Sequence, residues 1–204
     1  MEQNGMEKRR KKWTVHYPAG DPDAERVTAA LAAELGCSET AAKLLWNRGL
    51  KTAGDANRFL HLEDTRFHDA FAMRDMTKAV ERIEAALAAG ERIAIYGDYD
   101  VDGVTSTSLL YLYLRERGAD VQYYIPSRLH EGYGLSRGAI DRLADKGVRL
   151  MITVDTGITA VDEVAYAKEC GIETVVTDHH ACRETLPDGC AAVNPHRPDD
   201  AYPF

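Results

Sequence analysis

The spacing of apolar positions changes character once along this chain. Between residues 22 and 60 the apolar positions are mostly Ala and Leu at helical intervals. The segment AERVTAALAAEL, closed by Gly36, predicts one helix, and Ser38 capping SETAAKLLWNRG predicts a second. Thr52 ahead of GDANRFL predicts a third, shorter one, with Trp46 and Phe59 expected in the core of this region. The stretch HLEDTRFHDAF reads as a linker.

From Asp75 onward the pattern becomes regular. MTKAVERIEAALAAG predicts a helix and RIAIY a strand, followed by a helix over 104–117 and the strand VQYYI. A helix over 136–146, the strand RLMITV, a helix over 160–169 and the strand ETVVT complete the series. Strands alternating with helices at these lengths imply βαβ units and a mainly parallel sheet. The predicted architecture is therefore α/β: a doubly wound sheet over 73–204, preceded by a small helical region over 1–72.

Composition narrows the function classes. The 204 residues can bury a sizeable core, and 45% hydrophobic with 28% charged residues is ordinary for a soluble globular protein. No apolar run approaches the ~20 residues that cross a bilayer, so no membrane role is expected. The opening MEQNGMEKRRKK is basic but leads into no apolar segment, so it is not a signal peptide, and the expected location is cytoplasmic. Cys37, Cys170, Cys182 and Cys190 form no CxxC pair and read as reduced thiols; Cys182 and Cys190 follow His179 and His180, yet their spacing matches no usual zinc pattern. A net charge of −8 weighs mildly against nucleic-acid binding, although many of the acids fall in one cluster that a metal would neutralise.

The chemistry concentrates where strands end. RIAIY runs into GDYDVDG, placing Asp98, Asp100 and Asp102 just past its carboxyl end. RLMITV runs into Asp155, and ETVVT into Asp178, His179 and His180. Sites in open α/β sheets form at that edge, and parallel neighbours lie only ~4.8 Å apart, so these groups can converge. So many carboxylates together would repel one another unless divalent cations neutralised them. Carboxylates mixed with imidazole suit manganese, iron or zinc better than calcium. A carboxylate bridging two ions would make a two-metal site, and Asp155 is the candidate bridge.

Plainer readings compete. DYDVDG fits the first half of an EF-hand loop, but Leu109 stands where the bidentate Glu is required and a strand precedes it. A single Asp after a strand is often only a helix cap, and paired histidines can be surface residues. Gly103 is expected to open a helix whose free N–H groups at Val104, Thr105 and Ser106 would favour a phosphate. Arg128 and His130 in SRLHEGYGLSRG are further candidate phosphate ligands, although an arginine after a strand is as often a surface residue. GYGLSRG misses the GxGxxG spacing, and no Walker lysine motif is present.

On these residues the chain resembles the DHH phosphoesterase superfamily. Asp178, His179 and His180 match the motif that names it, GDYDVDG its first motif and VDTG its second. The run from RIAIYGDYDVDGVTSTSLL through IPSRLHEGYGLS, MITVDTGI and VVTDHH to NPHRPD is similar to the front part of its single-strand-specific DNA exonucleases. LLWNRGLKTAGDANRFL and the MTKAVERI helix extend that likeness over nearly the whole chain.

The resemblance implies a 5′→3′ exonuclease acting on single-stranded DNA with two divalent ions, Mn2+ or Mg2+. It implies Asp98, Asp100, Asp102, Asp155 and His179 as metal ligands, and His180 against the scissile phosphate. Asp178 would orient the histidines, and Arg128 and His130 would lie along the substrate path. Single-strand-binding protein and a helicase are the implied protein partners. The family carries a later metal-binding Asp and a further domain that grips nucleic acid, and neither occurs before NPHRPDDAYPF, so the chain is expected to be a front fragment. Two rivals stand beside this reading: a superfamily phosphatase or nuclease for short oligonucleotides or small phosphoesters, and a scaffold module without metals.

Overall fold

The computed structural model describes residues 16–61, 67–129 and 131–203, so MEQNGMEKRRKK and His130 lie outside the described residues, as does much of the expected linker. The described residues part into two compact units between His61 and Phe67. That break comes earlier than residue 72 because the following segment belongs to the second unit. There the His68 ring lies edge-on to Tyr202 with ring centres 5.8 Å apart.

The first unit holds three helices: α1 (Pro22–Leu35), α2 (Glu39–Asn47) and α3 (Ala53–Leu60). Asp21, Ser38 and Thr52 cap their amino ends through side-chain oxygens, and Gly36 closes α1 in the left-handed conformation. Leu31, Ala42, Leu45 and Ala56 form the small core. Trp46 is half-buried, edge-on to Tyr17 at 5.6 Å with Lys51 Nζ 3.1 Å above its ring. Phe59, expected in the core, is 50% exposed, because that core is filled by Ala and Leu from other faces of the short helices.

The second unit runs α4 (Met76–Ala89), β1 (Ile93–Tyr96), α5 (Val101–Glu116), β2 (Val121–Tyr124), α6 (Arg137–Asp145), β3 (Leu150–Val154), α7 (Val161–Glu169), β4 (Glu173–Thr177) and β5 (Ala191–Val193). All strands pair in parallel, in the order β2-β1-β3-β4-β5. Alternate residues of each strand serve opposite cores, as the two-residue period requires. Ile93 and Ile95 pack with Ala79 and Ala86 of α4 and Leu114 of α5. Ala94 and Tyr96 pack with Ile140 and Leu143 of α6 and Val164 and Ala167 of α7. Each fully buried Ile or Leu contributes roughly 1.5–3 kcal/mol of transfer free energy, so both faces must be covered. The doubly wound α/β expectation holds. β5 adds a strand that the sequence pattern does not predict, because AAV is too short and too poor in β-branched residues to signal one.

Strand order reverses between β1 and β3. From β1 the chain steps outward to β2, whereas from β3 it steps the other way to β4 and β5. The crevice of a doubly wound sheet opens at that reversal, just past the strands' carboxyl ends.

Candidate metal centre

Each acidic motif sits at this crevice for a local reason. β1 ends at Tyr96, and Gly97 and Asp98 carry the chain over the sheet edge, where Asp98 is buried. Asp100 then caps α5, its Oδ1 accepting from the Gly103 amide at 3.0 Å. The two glycines make this turn possible. A Cβ on Gly103 would lie 2.4 Å from the Asp98 carbonyl oxygen, and one on Gly97 2.0 Å from Thr107 Oγ1. Only glycine lets the first turn of α5 rest directly on the loop that carries Asp98.

Asp155 follows β3 and takes φ 60, a left-handed conformation that Asp tolerates better than most residues. Its amide donates to the Thr177 carbonyl at 3.1 Å, which fixes it against the end of β4. From β4 the chain runs into Asp178, whose Oδ1 accepts from the His179 amide at 2.7 Å, the His180 amide at 3.0 Å and His180 Nδ1 at 2.7 Å. Its Oδ2 accepts from the Ile158 amide at 2.9 Å. Asp178 is thus spent on backbone and imidazole, while His179 Nε2 reaches Asp155 Oδ1 at 2.8 Å.

Two donor groups result. Asp98, Asp100 and Asp155 place ligand atoms within 4.8 Å of one another, and so do Asp155, His179 and His180. Asp155 is common to both. Asp102 is in neither, although it lines the adjoining cavity of about 610 Å³ with Ser106, Leu109, Val154, Asp155 and His179. Neither group includes a cysteine among the described residues, and the Cys190 thiol instead donates to the Thr174 carbonyl at 3.0 Å.

The charges of the site act on one another. Burial pushes the Asp155 carboxyl above the usual carboxylate range; the His179 contact pulls it back and the neighbouring Asp100 charge pushes further. The Asp178 carboxylate raises His180 above an ordinary imidazole, with burial opposing. The Gly103 amide holds Asp100 low. Asp98 Oδ1 and Asp155 Oδ2 are buried with no hydrogen-bond partner among the described residues. Burying two carboxylate oxygens unpaired is costly, and a cation would satisfy both. Mixed carboxylate and imidazole donors fit manganese, magnesium, iron or zinc.

The expected phosphate cradle takes a different form. α5 begins at Val101 rather than 104, so the Val104 amide donates to the Asp100 carbonyl at 2.9 Å and positions 105 and 106 lie inside the helix. The Thr105 and Ser106 hydroxyls turn back onto the carbonyls of Val101 and Asp102 at 2.6 and 2.7 Å. Asp100 moves the start forward: as an effective cap it outcompetes Gly103 for that place. Arg128 stands with its guanidinium 5.4 Å from the Tyr99 ring centre. Tyr133 joins the site without any sign of it in the sequence. Its ring lies 6.5 Å from Tyr99 and 6.0 Å from His180, and its hydroxyl is 3.5 Å from His180 Nδ1. A tyrosine in a glycine-rich loop carries no periodic signal that would reveal it.

Comparison with known proteins matches this architecture. Residues 92–201 match the model of the DHH family, N-terminal domain. The chain is 45% identical over 183 residues to the single-stranded-DNA-specific exonuclease RecJ of Bacillus subtilis (strain 168), covering 90% of this chain and 23% of that protein. A solved structure of exonuclease RecJ bound to manganese is similar at TM-score 0.60 and 38% identity, over 66% of this chain and 34% of its own. RecJ from Thermus thermophilus in complex with Mn2+ is similar at TM-score 0.61 and 30% identity, over 87% of this chain and 24% of its own. The chain therefore spans about a quarter of the length of the RecJ protein from Bacillus subtilis.

Proposed function

The chain belongs to the DHH family, and from that premise we propose that it is the metal-binding front part of a 5′→3′ exonuclease that hydrolyses single-stranded DNA. The observation that carries this reading is the shared Asp155: two ligand groups meet on one carboxylate at the switch point of the sheet. Asp98 and Asp100 would hold one divalent ion with Asp155, and His179 the other, while Asp102, in neither donor group, lines the adjoining cavity at the margin of the site. Manganese or magnesium is the proposed pair, in keeping with the donor set and the manganese-bound relatives. Bound there, the ions would lower the pKa of a water toward ~7 and offset the charge that develops on the phosphate.

The chain's own residues do the rest. Asp178 orients His180 through Nδ1, leaving Nε2 to donate to a phosphate oxygen, and the raised imidazole pKa favours that protonated form. Arg128, Tyr99 and Tyr133 form a cationic and aromatic flank suited to a phosphate and unpaired bases. That flank favours a single strand over a small phosphoester. Among the described residues no helix is long and apolar enough to cross a membrane. A role on single-stranded DNA would place the protein in the cytoplasm, where single-strand-binding protein and a helicase would be its partners.

The test is manganese-dependent release of mononucleotides from 5′-labelled and 3′-labelled single strands. This chain is compared with a chimera in which it replaces the matching part of the Bacillus subtilis RecJ. Digestion by the chimera from the 5′ end, with long strands preferred to dinucleotides, is expected. Preference for dinucleotides, or no digestion with any divalent metal, would sink the proposal.

A further inference from the structure

The loop between β2 and α6 is anchored at its two ends by buried Pro126 and Leu135, but the stretch between them that carries Arg128 and Tyr133 has no buried apolar side chain among the described residues. Leu129 is 89% exposed, and the ring contacts of Arg128 and Tyr133 are long. A carboxylate closes it instead. Glu131 Oε2 accepts from the Ser127 amide at 2.9 Å, and Oε1 accepts from the Tyr124 hydroxyl at the end of β2. Arg142 on α6 donates to that same Oε1 and to the Tyr124 oxygen. Tyr124 in turn packs on buried Tyr96 with ring centres 5.1 Å apart, and the Tyr96 hydroxyl donates to the Gly134 carbonyl at 3.1 Å.

We propose that Glu131 is a positioning residue for the substrate: its carboxylate ties the loop to β2 and α6 so that Arg128 stays over Tyr99 and Tyr133 beside His180. This rests on the exonuclease reading of the site. The Arg142 side of the pair is half-exposed, so the ion pair by itself would contribute little. The amide and hydroxyl donors make the difference, because hydrogen bonds to a carboxylate are short and strong and here bind loop, strand and helix to one group. Those bonds also hold the Glu131 carboxyl below its usual range, the Tyr124 contact contributing most. Without them the loop would keep its chain path but lose its register against His180, and a strand would then bind more weakly because it must order the loop itself.

The experiment compares Glu131→Ala with Glu131→Gln, which keeps an acceptor without the charge. In folded protein of unchanged thermal midpoint, tryptic cleavage after Arg128 is expected to speed up about tenfold in Glu131→Ala and to stay within about twofold of wild type in Glu131→Gln. In the chimera, the Kd for a labelled single strand and the KM should rise about tenfold for Glu131→Ala, with kcat and manganese uptake within about twofold of wild type. A Glu131→Ala protein with wild-type cleavage and Kd overturns the proposal. So does an equal fall in kcat for both variants at constant KM, which would place the carboxylate's charge in the reaction itself. If wild type binds a single strand but releases no mononucleotide, the exonuclease reading falls, while the tryptic and Kd comparisons still decide the role of Glu131.

Discussion

Asp155 Oδ1 lies 2.8 Å from His179 Nε2, joining the ends of β3 and β4 through side chains, while Asp155 Oδ2 is buried without a partner among the described residues. One oxygen faces an imidazole, and the carboxylate as a whole shares a second ligand group with Asp98 and Asp100. This division makes Asp155 the residue on which both ligand groups depend.

Changing Asp155 to Asn should remove high-affinity manganese uptake and hydrolysis together, because a neutral amide bridges cations poorly. We expect activity to fall by at least about 10³-fold, as for loss of a central electrostatic group in other enzymes. Calorimetric manganese titration and strand-release assays on the chimera check it; near-normal uptake would remove Asp155 from the bridging position.

The same variant should stabilise the metal-free protein. The folded-state carboxyl is raised above 3.8, so its ionised form costs stability at any pH above the folded value. Below 3.8 the carboxyl is protonated in folded and unfolded states alike, and the cost disappears. Melting curves should show Asp155→Asn a few degrees above wild type at pH 7, with the gain fading as pH falls toward 3.8. A gain that grows on acidification would contradict the burial argument.

His180→Ala should separate binding from turnover. Asp178 already commits Nδ1, and His179 remains on Asp155. Turnover should drop about 10²–10³-fold with manganese affinity changed less than about threefold. Parallel loss of both would instead make His180 a necessary metal ligand.

Arg197 is 8% exposed and donates to Asp75, to Asp199 and to the Ala192 carbonyl. Burial works against the Asp75 charge, but hydrogen bonds from Arg197, Lys78 and the Ala192 amide outweigh it and hold the carboxyl below 3.8. Its contribution is therefore full above 3.8 and is lost as pH falls through the lower folded value. Arg197→Ala should cost about 2–4 kcal/mol in urea unfolding at pH 7 and less under strong acid, since it strands Asp75 half-buried. A loss below about 0.5 kcal/mol would show that β5 is held by its ladder alone.

Gly103→Ala should disrupt the site from within the helix. The new methyl meets the Asp98 carbonyl at 2.4 Å, so α5 or the Asp98 loop must shift. Destabilisation of about 1–3 kcal/mol with weakened manganese uptake is expected, read by melting and titration together.

The sequence by itself determined most of the architecture. The 2.0 and 3.6 periodicities and the caps Asp21, Ser38 and Thr52 are local properties, so helices and parallel strands were legible, with acids placed after each strand end. Strand order is not local. Only the folded sheet set β1 beside β3 and β3 beside β4, which brings Asp98, Asp155 and His179 to one crevice and leaves Asp102 on its margin. Where two local signals competed, as Asp100 and Gly103 did for the start of α5, the Asp100 cap set the start, and the fold seats Gly103 inside the helix against the Asp98 loop, with the hydroxyls of Thr105 and Ser106 turned back onto their own helix. Tyr133 and Glu131 gained their meaning in the same way, because a side chain's partners across a loop are fixed by three-dimensional closure and leave no periodic trace in the chain.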